Sequence, residues 1–279
     1  VWCSYPAVFV LAGVVFTRHL ADVDAVLSAL VGFGCFCLLS GCAYIMNDIA
    51  DREADRRHPE KRERPIASGR LSVRHASVGC ALILGAALAI SFRVGVLFGV
   101  TALGYFLLTV LYSVKLRSVV IIDVCAIAAG FVLRVVAGVL IVGTQVSPWI
   151  LTCTLFVALL LAFCKRRHEL VTMGGSADGH RRVLAEYDVT FLDQMIGMAS
   201  SVTILSYVLY SFTSETAALH PYLMLTIPFV VYGVARYLYL VFKGGEGGSP
   251  DVTVFTDGAM LGNGALYLLA VIAALYFGG

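Results

Sequence analysis

The chain has 279 residues, of which 59% are hydrophobic and only 14% are charged, and its mean hydropathy is +0.89. A soluble domain carries about a quarter charged residues, so this composition excludes an ordinary soluble protein and indicates that lipid is the solvent. The net charge of +2 excludes nothing as a total, but the positions of the charges along the chain are informative.

Nine hydrophobic runs approach the length needed to cross a bilayer, which is about 20 mostly apolar residues. Gly and Pro interrupt several of them, and membrane helices tolerate both. The first run is short, and because the chain begins with Val1 we expect its natural start to be missing or trimmed. We therefore predict an all-α polytopic membrane protein, a single transmembrane domain over residues 1–279. Its nine spans are predicted at roughly 2–17, 24–46, 76–92, 95–112, 119–142, 147–164, 194–213, 220–242 and 258–277.

Lys and Arg residues are distributed unevenly among the connecting loops. The loops after spans two, four, six and eight hold 16 of them, whereas the odd-numbered loops hold only Arg18 and Arg93. Cationic loops stay on the cytoplasmic side. We therefore expect a cytoplasmic N-terminus. The two long loops, about 47–75 and 166–193, should face the cytoplasm and hold the active site.

The segment NDIADREAD, residues 47–55, directly follows the second hydrophobic run. A helix that continues through it carries Asn47, Asp48, Asp51 and Asp55 on one stripe. Carboxylates placed this way repel each other, and the carboxyl end of a helix disfavours anions. Mg²⁺ relieves both effects, because proteins hold it through one or two carboxylates and the phosphates of a substrate. We predict that all four residues are metal ligands and that the three aspartates are catalytic.

The same loop carries more cations than membrane orientation requires, and arginine binds phosphate through two parallel hydrogen bonds. Metal-binding carboxylates beside such arginines indicate a magnesium–diphosphate site at the membrane surface. Two alternatives stay open: carboxylates that merely pair with neighbouring arginines in a solvated loop, and cations that attract anionic lipid. The candidate substrate-binding residues of this loop are Asn47, Arg52, Arg56, Lys61, Arg62 and Arg64.

Further candidate substrate contacts lie along the rest of the chain. Arg134 is in the middle of a span, where a charged side chain is costly and faces a polar cavity or a partner. Its alternatives are a structural ion pair, for which Asp123 lies three helical turns earlier, and a side chain that snorkels to the membrane surface. For Lys115, membrane anchoring is the alternative. We expect one phosphate contact within residues 165–167 and a pairing of another of these cations with Glu169. The candidates outside the first loop are Tyr112, Lys115, Arg134, Lys165, Arg166, Arg167, Glu169 and Tyr187.

The segment NDIADREAD, followed by RPIASG, resembles the NDxxDxxxD signature of the UbiA-type intramembrane prenyltransferases, and the resemblance covers essentially the whole chain. Three further segments, YSVKLRSVVIIDV, GFVLRVVAG and KRRHEL, are more similar to the decaprenyl-phosphate phosphoribosyltransferases of that superfamily. The resemblance implies a UbiA-type bundle of nine helices with its active-site mouth at the cytoplasm. One departure is that Ser4 and Tyr5 stand where compared members have Lys and Asn.

The likeness implies Mg²⁺-dependent transfer of 5-phosphoribose from phosphoribosyl diphosphate to a polyprenyl phosphate, which supplies lipid-linked arabinose for the cell wall. The expected partners are these two substrates and the bilayer, with no nucleic acid and with a homo-oligomer possible. The alternative activity is transfer of a polyprenyl group to an aromatic acceptor such as 4-hydroxybenzoate. Enzymes of that kind carry a DxxxD pair after span six, and here no two acids of that loop are four apart. A non-catalytic transporter is the third hypothesis. Transporters place isolated charges at the bilayer midplane between repeats, whereas here the charges concentrate at one surface and no repeat is visible.

Overall fold

The computed structural model describes residue 10 and residues 23–57, 61–143, 146–172, 182–243 and 256–276. Within these ranges the chain forms helices and turns and no strand. Eight of the helices are long and apolar enough to cross a membrane. The all-α polytopic class is therefore confirmed, with eight of the nine predicted spans. The first predicted span, 2–17, lies almost wholly outside the described residues.

Several helices extend beyond the apolar runs that predicted them, because the backbone hydrogen-bond ladder of a helix does not depend on apolar side chains once it leaves the bilayer. Span eight is instead divided into a 3₁₀ turn, Pro221–Thr226, and a following α-helix that has Pro228 in its first turn, where a missing N–H is tolerated. The α-helices of the described ranges are α1 (Val23–Ala50), α2 (Arg52–Arg57), α3 (Val73–Val94), α4 (Val96–Val114), α5 (Ile122–Ile141), α6 (Pro148–Thr172), α7 (Val189–Thr213), α8 (Glu215–Leu219), α9 (Ile227–Lys243) and α10 (Gly258–Tyr276).

The chain divides into two compact units. Unit 1 comprises Val1–Arg117 and Ala129–Val146, and its core joins α1, α3 and α4. Phe36 of α1 packs against the rings of Phe98 and Tyr105 on α4. The helices α1 and α3 approach so closely that Cys42 and Cys80 each donate a thiol hydrogen bond to the other's carbonyl, both at 3.6 Å.

Unit 2 comprises Ser118–Ala128 and Ser147–Gly279. The helices α6 and α7 pack along each other, with Phe163, Leu192 and Ile196 buried in the core that they share with α9. The helix α7 begins at an N-cap, Asp188, whose carboxylate accepts a hydrogen bond from the Phe191 amide at 3.2 Å. The prediction of one domain over the whole chain stays a prediction.

Large apolar side chains also cover the outer surface of the helices. Leu82, Leu97 and Leu269 are each more than half exposed. In a soluble protein such a surface would be an aggregation hazard, whereas in a bilayer it is the surface that contacts lipid. The chain is therefore a multi-pass membrane protein by length, hydropathy and the distribution of its apolar surface.

Candidate active site

The four residues of the predicted metal stripe lie where α1 ends and α2 begins. Asn47 and Asp48 are in the last turn of α1, Asp51 occupies the single-residue turn after it, and Asp55 is in α2. The amide of Asp51 donates to the carbonyl of Asn47, and the amide of Asp55 to that of Asp51, both at 2.8 Å. The helical hydrogen-bond pattern thus continues across the junction, as the stripe requires.

One guanidinium nitrogen lies between two of these carboxylates. Nη1 of Arg64 donates to Oδ1 of Asp48 at 2.8 Å and to Oδ2 of Asp55 at 2.9 Å. The Asp55 side chain is only 6% exposed, whereas that of Asp48 is 26% exposed. The third carboxylate, Asp51, has Nη1 of Arg117 at 3.5 Å from its Oδ2. Arginines therefore hold all three aspartates, as in the solvated-loop alternative. Arg117 is not among the residues that the local sequence pattern predicted for this site.

The donor set suits a magnesium ion that is shared with a phosphorylated substrate. Asp48 and Asp55 already converge on one cationic nitrogen, so both can serve a single cation. Among the described residues, no group of three or more His, Cys, Asp or Glu side chains is arranged to hold a metal by itself. Mg²⁺ commonly takes one or two carboxylates and completes its octahedron with phosphate oxygens and water. Asn47, Asp48, Asp51 and Asp55 are the residues that would hold it here.

The basic loop after α2 folds back on that helix. Nε of Arg56 donates to the carbonyl of Ala67 at 3.0 Å, and the amide of Leu71 donates to the carbonyl of Pro65 at 2.9 Å. Gly69 has φ +80°, a left-handed conformation that glycine adopts without strain. Of the remaining candidates, Lys61 and Arg62 of the loop are exposed. Arg52 of α2 is half-buried, and its Nη1 lies 3.9 Å from a carboxylate oxygen of Glu53.

Arg134 lies inside the membrane-spanning part of unit 1. Its Nη2 donates to the Tyr105 hydroxyl at 2.6 Å, and that hydroxyl is 2.9 Å from Oγ of Ser40. The guanidinium also lies over the Tyr105 ring, at 4.6 Å from its centroid, and its buried Nε has no hydrogen-bond partner among the described residues. No carboxylate in the described ranges forms an ion pair with Arg134. Asp123, the acid that the sequence relates to Arg134, pairs with Arg166.

Asp123 belongs to a buried network in unit 2. Nε of Arg166 donates to its Oδ2 at 2.7 Å, and Nη1 of Arg166 donates to Glu169 at 2.6 Å. The side chains of Arg166 and Asp123 are 1% and 0% exposed. Glu169 thus pairs with a cation of the 165–167 run, which confirms that expectation. The sequence marked Asp123 as an isolated acid in an otherwise apolar segment, but it gave no sign that Asp123 pairs with Arg166.

Tyr187 completes this network. Its hydroxyl donates to Oδ1 of Asp123 at 2.6 Å and accepts from the amide of Ile121 at 2.8 Å. Burial, followed by the hydrogen bond to Asp123, raises the pKa of the Tyr187 phenol well above its usual value, so the group stays protonated. Ile121 has φ 67°, which is strained for a β-branched residue, and the Tyr187 hydroxyl satisfies its amide there.

The other predicted contacts occupy helix ends. Nε of Arg167 donates to Oδ1 of Asp193 at 2.5 Å, and its guanidinium lies 4.4 Å from the centre of the Phe242 ring. Lys165 and Tyr112 are half-buried, and Lys115 is exposed at the end of α4. The structure thus brings together Asp48, Asp55 and Arg64 in unit 1 and Arg166, Glu169 and Tyr187 in unit 2. The substrate-binding roles of all these residues stay predictions.

Residues 7–256 match the model of the UbiA prenyltransferase family. The chain belongs to this family. It is therefore a membrane-embedded transferase, as the NDxxDxxxD segment predicted, and the family assignment favours both enzyme hypotheses over the transporter hypothesis.

Two relatives within the UbiA family are similar over most of their length. The decaprenyl-phosphate phosphoribosyltransferase of Corynebacterium glutamicum is 29% identical over 256 residues, which cover 90% of this chain and 76% of that protein. The decaprenyl-phosphate phosphoribosyltransferase of Mycolicibacterium smegmatis is 29% identical over 266 residues, which cover 92% of this chain and 82% of that protein. The predicted resemblance to this group is thereby confirmed.

Solved UbiA structures share the fold. A UbiA homolog from Archaeoglobus fulgidus bound to GPP and Mg²⁺ superposes with a TM-score of 0.74 at 18% identity, covering 98% of this chain and 96% of that chain. The same homolog bound to DMAPP and Mg²⁺ gives a TM-score of 0.73. At this identity the likeness establishes the UbiA-type helical architecture and nothing about the substrate.

Proposed function

We propose that this UbiA-family transferase moves 5-phosphoribose from phosphoribosyl diphosphate to a polyprenyl phosphate and releases diphosphate, with Mg²⁺ as the cofactor. The observation that carries this proposal is the convergence of Asp48 and Asp55 on one cationic nitrogen of Arg64, beside a loop rich in arginine. The names of the relatives that are similar over most of the chain support the choice of donor.

The carboxylates and the arginines have separate roles in this proposal. Asp48, Asp51 and Asp55, with the amide oxygen of Asn47, hold the cation. Arg64 reaches two of these carboxylates, so its guanidinium is in position to bind oxygens of the donor's diphosphate as well. When bound, Mg²⁺ would neutralise the charge that develops on the leaving diphosphate. Arg117, which contacts Asp51, adds a further positive charge at the same place.

The transfer itself needs little proton movement. An oxygen of the acceptor phosphate forms a bond to C1 of the ribose while the bond from C1 to the diphosphate breaks, and the diphosphate leaves with the electron pair. The acceptor phosphate is already anionic at neutral pH, so no general base is required. A single displacement of this kind inverts C1.

The remaining predicted contacts are proposed as follows. Arg52, Arg56, Lys61 and Arg62 surround the donor phosphates, and Tyr112 and Lys115 stand at the end of α4 for the same purpose. Arg134, a cation whose described partners are a hydroxyl and aromatic rings, is proposed to face the lipid substrate. Within unit 2, Lys165 and Arg167 are the candidates for phosphate contact. We propose a bacterial inner membrane, with a cytoplasmic N-terminus and active site.

A donor swap on the purified protein in detergent tests this function. One reaction contains labelled phosphoribosyl diphosphate, a polyprenyl phosphate and Mg²⁺; the other contains a polyprenyl diphosphate and 4-hydroxybenzoate. We expect labelled lipid in the first reaction only, and none after addition of EDTA. Product in the second reaction alone would move the chain to the aromatic prenyltransferases, and EDTA-resistant product would remove the magnesium assignment.

A further inference from the structure

An open groove of about 620 Å³ lies in the basic loop of unit 1. Its volume falls in the range of about 300–1,000 Å³ that is usual for small-molecule sites. Six residues line it: Arg56, Arg62, Glu63, Ala67, Ser68 and Arg70. We call it the arginine groove, and none of its wall comes from the three aspartates that hold Arg64 and Arg117.

Hydrogen bonds to the loop hold two of its three arginines in place. Nε of Arg56 donates to the carbonyl of Ala67 at 3.0 Å. Nε of Arg70 donates to Oγ of Ser68 at 3.2 Å, and Nη2 of Arg70 donates to the carbonyl of Glu63. A guanidinium fixed by one edge keeps other N–H groups for a ligand and loses less entropy when it binds. The groove is therefore a preorganised cationic surface.

The charge of the groove matches a phosphate monoester. The described lining has three guanidiniums and one carboxylate, that of Glu63. Glu53, outside this lining, contacts Arg56 at 3.2 Å, and the described lining stays positive overall. Arginine forks bind the oxygens of a phosphate in pairs. A dianionic phosphate monoester is the ligand class that this lining suits.

Resting on the proposed function, we propose that the arginine groove binds the 5-phosphate of the phosphoribosyl donor. Asp55 and Arg56 are consecutive residues, with Cα atoms about 3.8 Å apart, so the groove begins beside the aspartate cluster. Arg64, which bridges the aspartates, also follows Glu63 of the groove directly in sequence. The loop thus offers two neighbouring anion sites, and a sugar phosphorylated at both C1 and C5 needs two. A prenyl diphosphate has one phosphorylated end and would use only the aspartate site.

The variants R62Q and R70Q test this assignment, and R74Q is the matched control because Arg74 is an exposed arginine of α3 outside the groove. Two competitive inhibitors separate the sites: ribose 5-phosphate probes the groove, and inorganic diphosphate probes the aspartates. We expect R62Q to raise both the KM for phosphoribosyl diphosphate and the Ki for ribose 5-phosphate by about tenfold, as for the loss of one charge-assisted hydrogen bond. The Ki for diphosphate should stay within about twofold, since that site keeps its ligands.

Equal increases in both Ki values, or the same effect from R74Q, would overturn the proposal, because either result describes a general loss of positive charge. R70Q also removes a brace of the loop, so E63Q provides a variant that keeps every arginine. Removing the acid of the described lining should lower the KM for the donor by about two- to threefold, as for removal of one nearby like charge. An unchanged or higher KM in E63Q would contradict the assignment.

The phosphate group of a lipid headgroup is the other ligand that this lining suits. The kinetics are therefore repeated in nanodiscs with and without anionic lipid. Groove binding of the sugar phosphate predicts the same R62Q effect in both. An effect that appears only with anionic lipid, without competition by ribose 5-phosphate, would assign the groove to headgroups instead. Equilibrium binding of ribose 5-phosphate, measured without acceptor, separates this proposal from the proposed function. If the protein transfers no phosphoribose but binds ribose 5-phosphate, and R62Q weakens that binding, the groove assignment is supported and only the proposed activity is rejected.

Discussion

Two arginine–carboxylate clusters among the described residues, in each of which one arginine holds two acids, differ in their access to solvent. In unit 1, Arg64 holds Asp48 and Asp55 while its own side chain is 37% exposed. In unit 2, Arg166 holds Asp123 and Glu169 with 1% of its side chain exposed. Both clusters have short hydrogen bonds, so geometry alone does not separate them. Exposure does, because an ion pair open to solvent is weak and can exchange its partner for a substrate, whereas a buried pair is costly to break.

This contrast assigns different roles to arginines that look alike in the sequence. The arginines of unit 1 are suited to bind an incoming phosphate, since the half-exposed Arg64 can release the half-exposed Asp48 at little cost while it keeps the buried Asp55. Arg166 is suited to hold α6 and the start of α5 in place, together with Tyr187 and the strained Ile121. Four predictions test the contrast, in order of decreasing expected effect.

The largest effect is expected from D51N. Asp51 is half-exposed and its arginine lies at 3.5 Å, so the change should leave the fold intact while it removes one predicted ligand of the cation. We expect transferase activity to fall at least about 100-fold, comparable to the loss of one electrostatic contact to a developing charge. The control E53Q changes an exposed acid of α2, two residues further along the chain, and should keep activity. Full activity in D51N would reject the metal site.

D123N should act on stability rather than on substrate binding. It removes one of the two carboxylates of the buried Arg166 guanidinium and leaves Glu169 as the other. Breaking a buried pair completely costs about 3–5 kcal/mol, so we expect a loss of stability towards the lower end of that range. The measurement is the thermal unfolding midpoint in detergent, with E53Q as the control. An unchanged midpoint, together with a raised donor KM, would show that Arg166 serves the substrate and would remove the contrast between the clusters.

R64Q tests the solvent-exposed cluster of unit 1. Loss of the guanidinium leaves Asp48 and Asp55 without their shared cation, so the substrate-free protein should bind Mg²⁺ more tightly. The KM for the donor should nevertheless rise about tenfold, as for one lost charge-assisted contact. Metal titration and steady-state kinetics measure the two effects separately. Weaker Mg²⁺ binding in R64Q would contradict the idea that the Arg64 guanidinium and Mg²⁺ use the same two carboxylates.

The smallest effect is expected from Y187F, which removes the hydrogen bonds to Asp123 and from Ile121. A buried group left without its partner costs about 1–3 kcal/mol of unfolding free energy. Because burial raises the pKa of this phenol, it does not ionise near neutral pH, and Y187F should leave the pH profile of activity between pH 6 and 9 unchanged. A shifted profile would identify Tyr187 as a proton donor in the reaction.

Much of the aspartate site was predictable because its signals are local. The spacing of Asn47, Asp51 and Asp55 fixes their common stripe once the backbone is helical, and the apolar run before them ensures that helix. The position of Arg117 beside Asp51 was not predictable, since it is 66 residues distant in the chain. The same applies to Asp123, which the sequence related to Arg134 on its own helix and the fold relates to Arg166, 43 residues away.

Composition, hydropathy and the period of the polar residues by themselves determined the membrane class, eight described spans and the stripe of carboxylates, because each depends only on neighbours along one helix. The tertiary structure decided which arginine meets which acid, and which of these pairs stays within reach of a ligand. Those outcomes depend on how separate helices pack inside each unit and on how deeply each ion pair is buried. No local pattern encodes that depth, yet it is what distinguishes a binding arginine from a structural one.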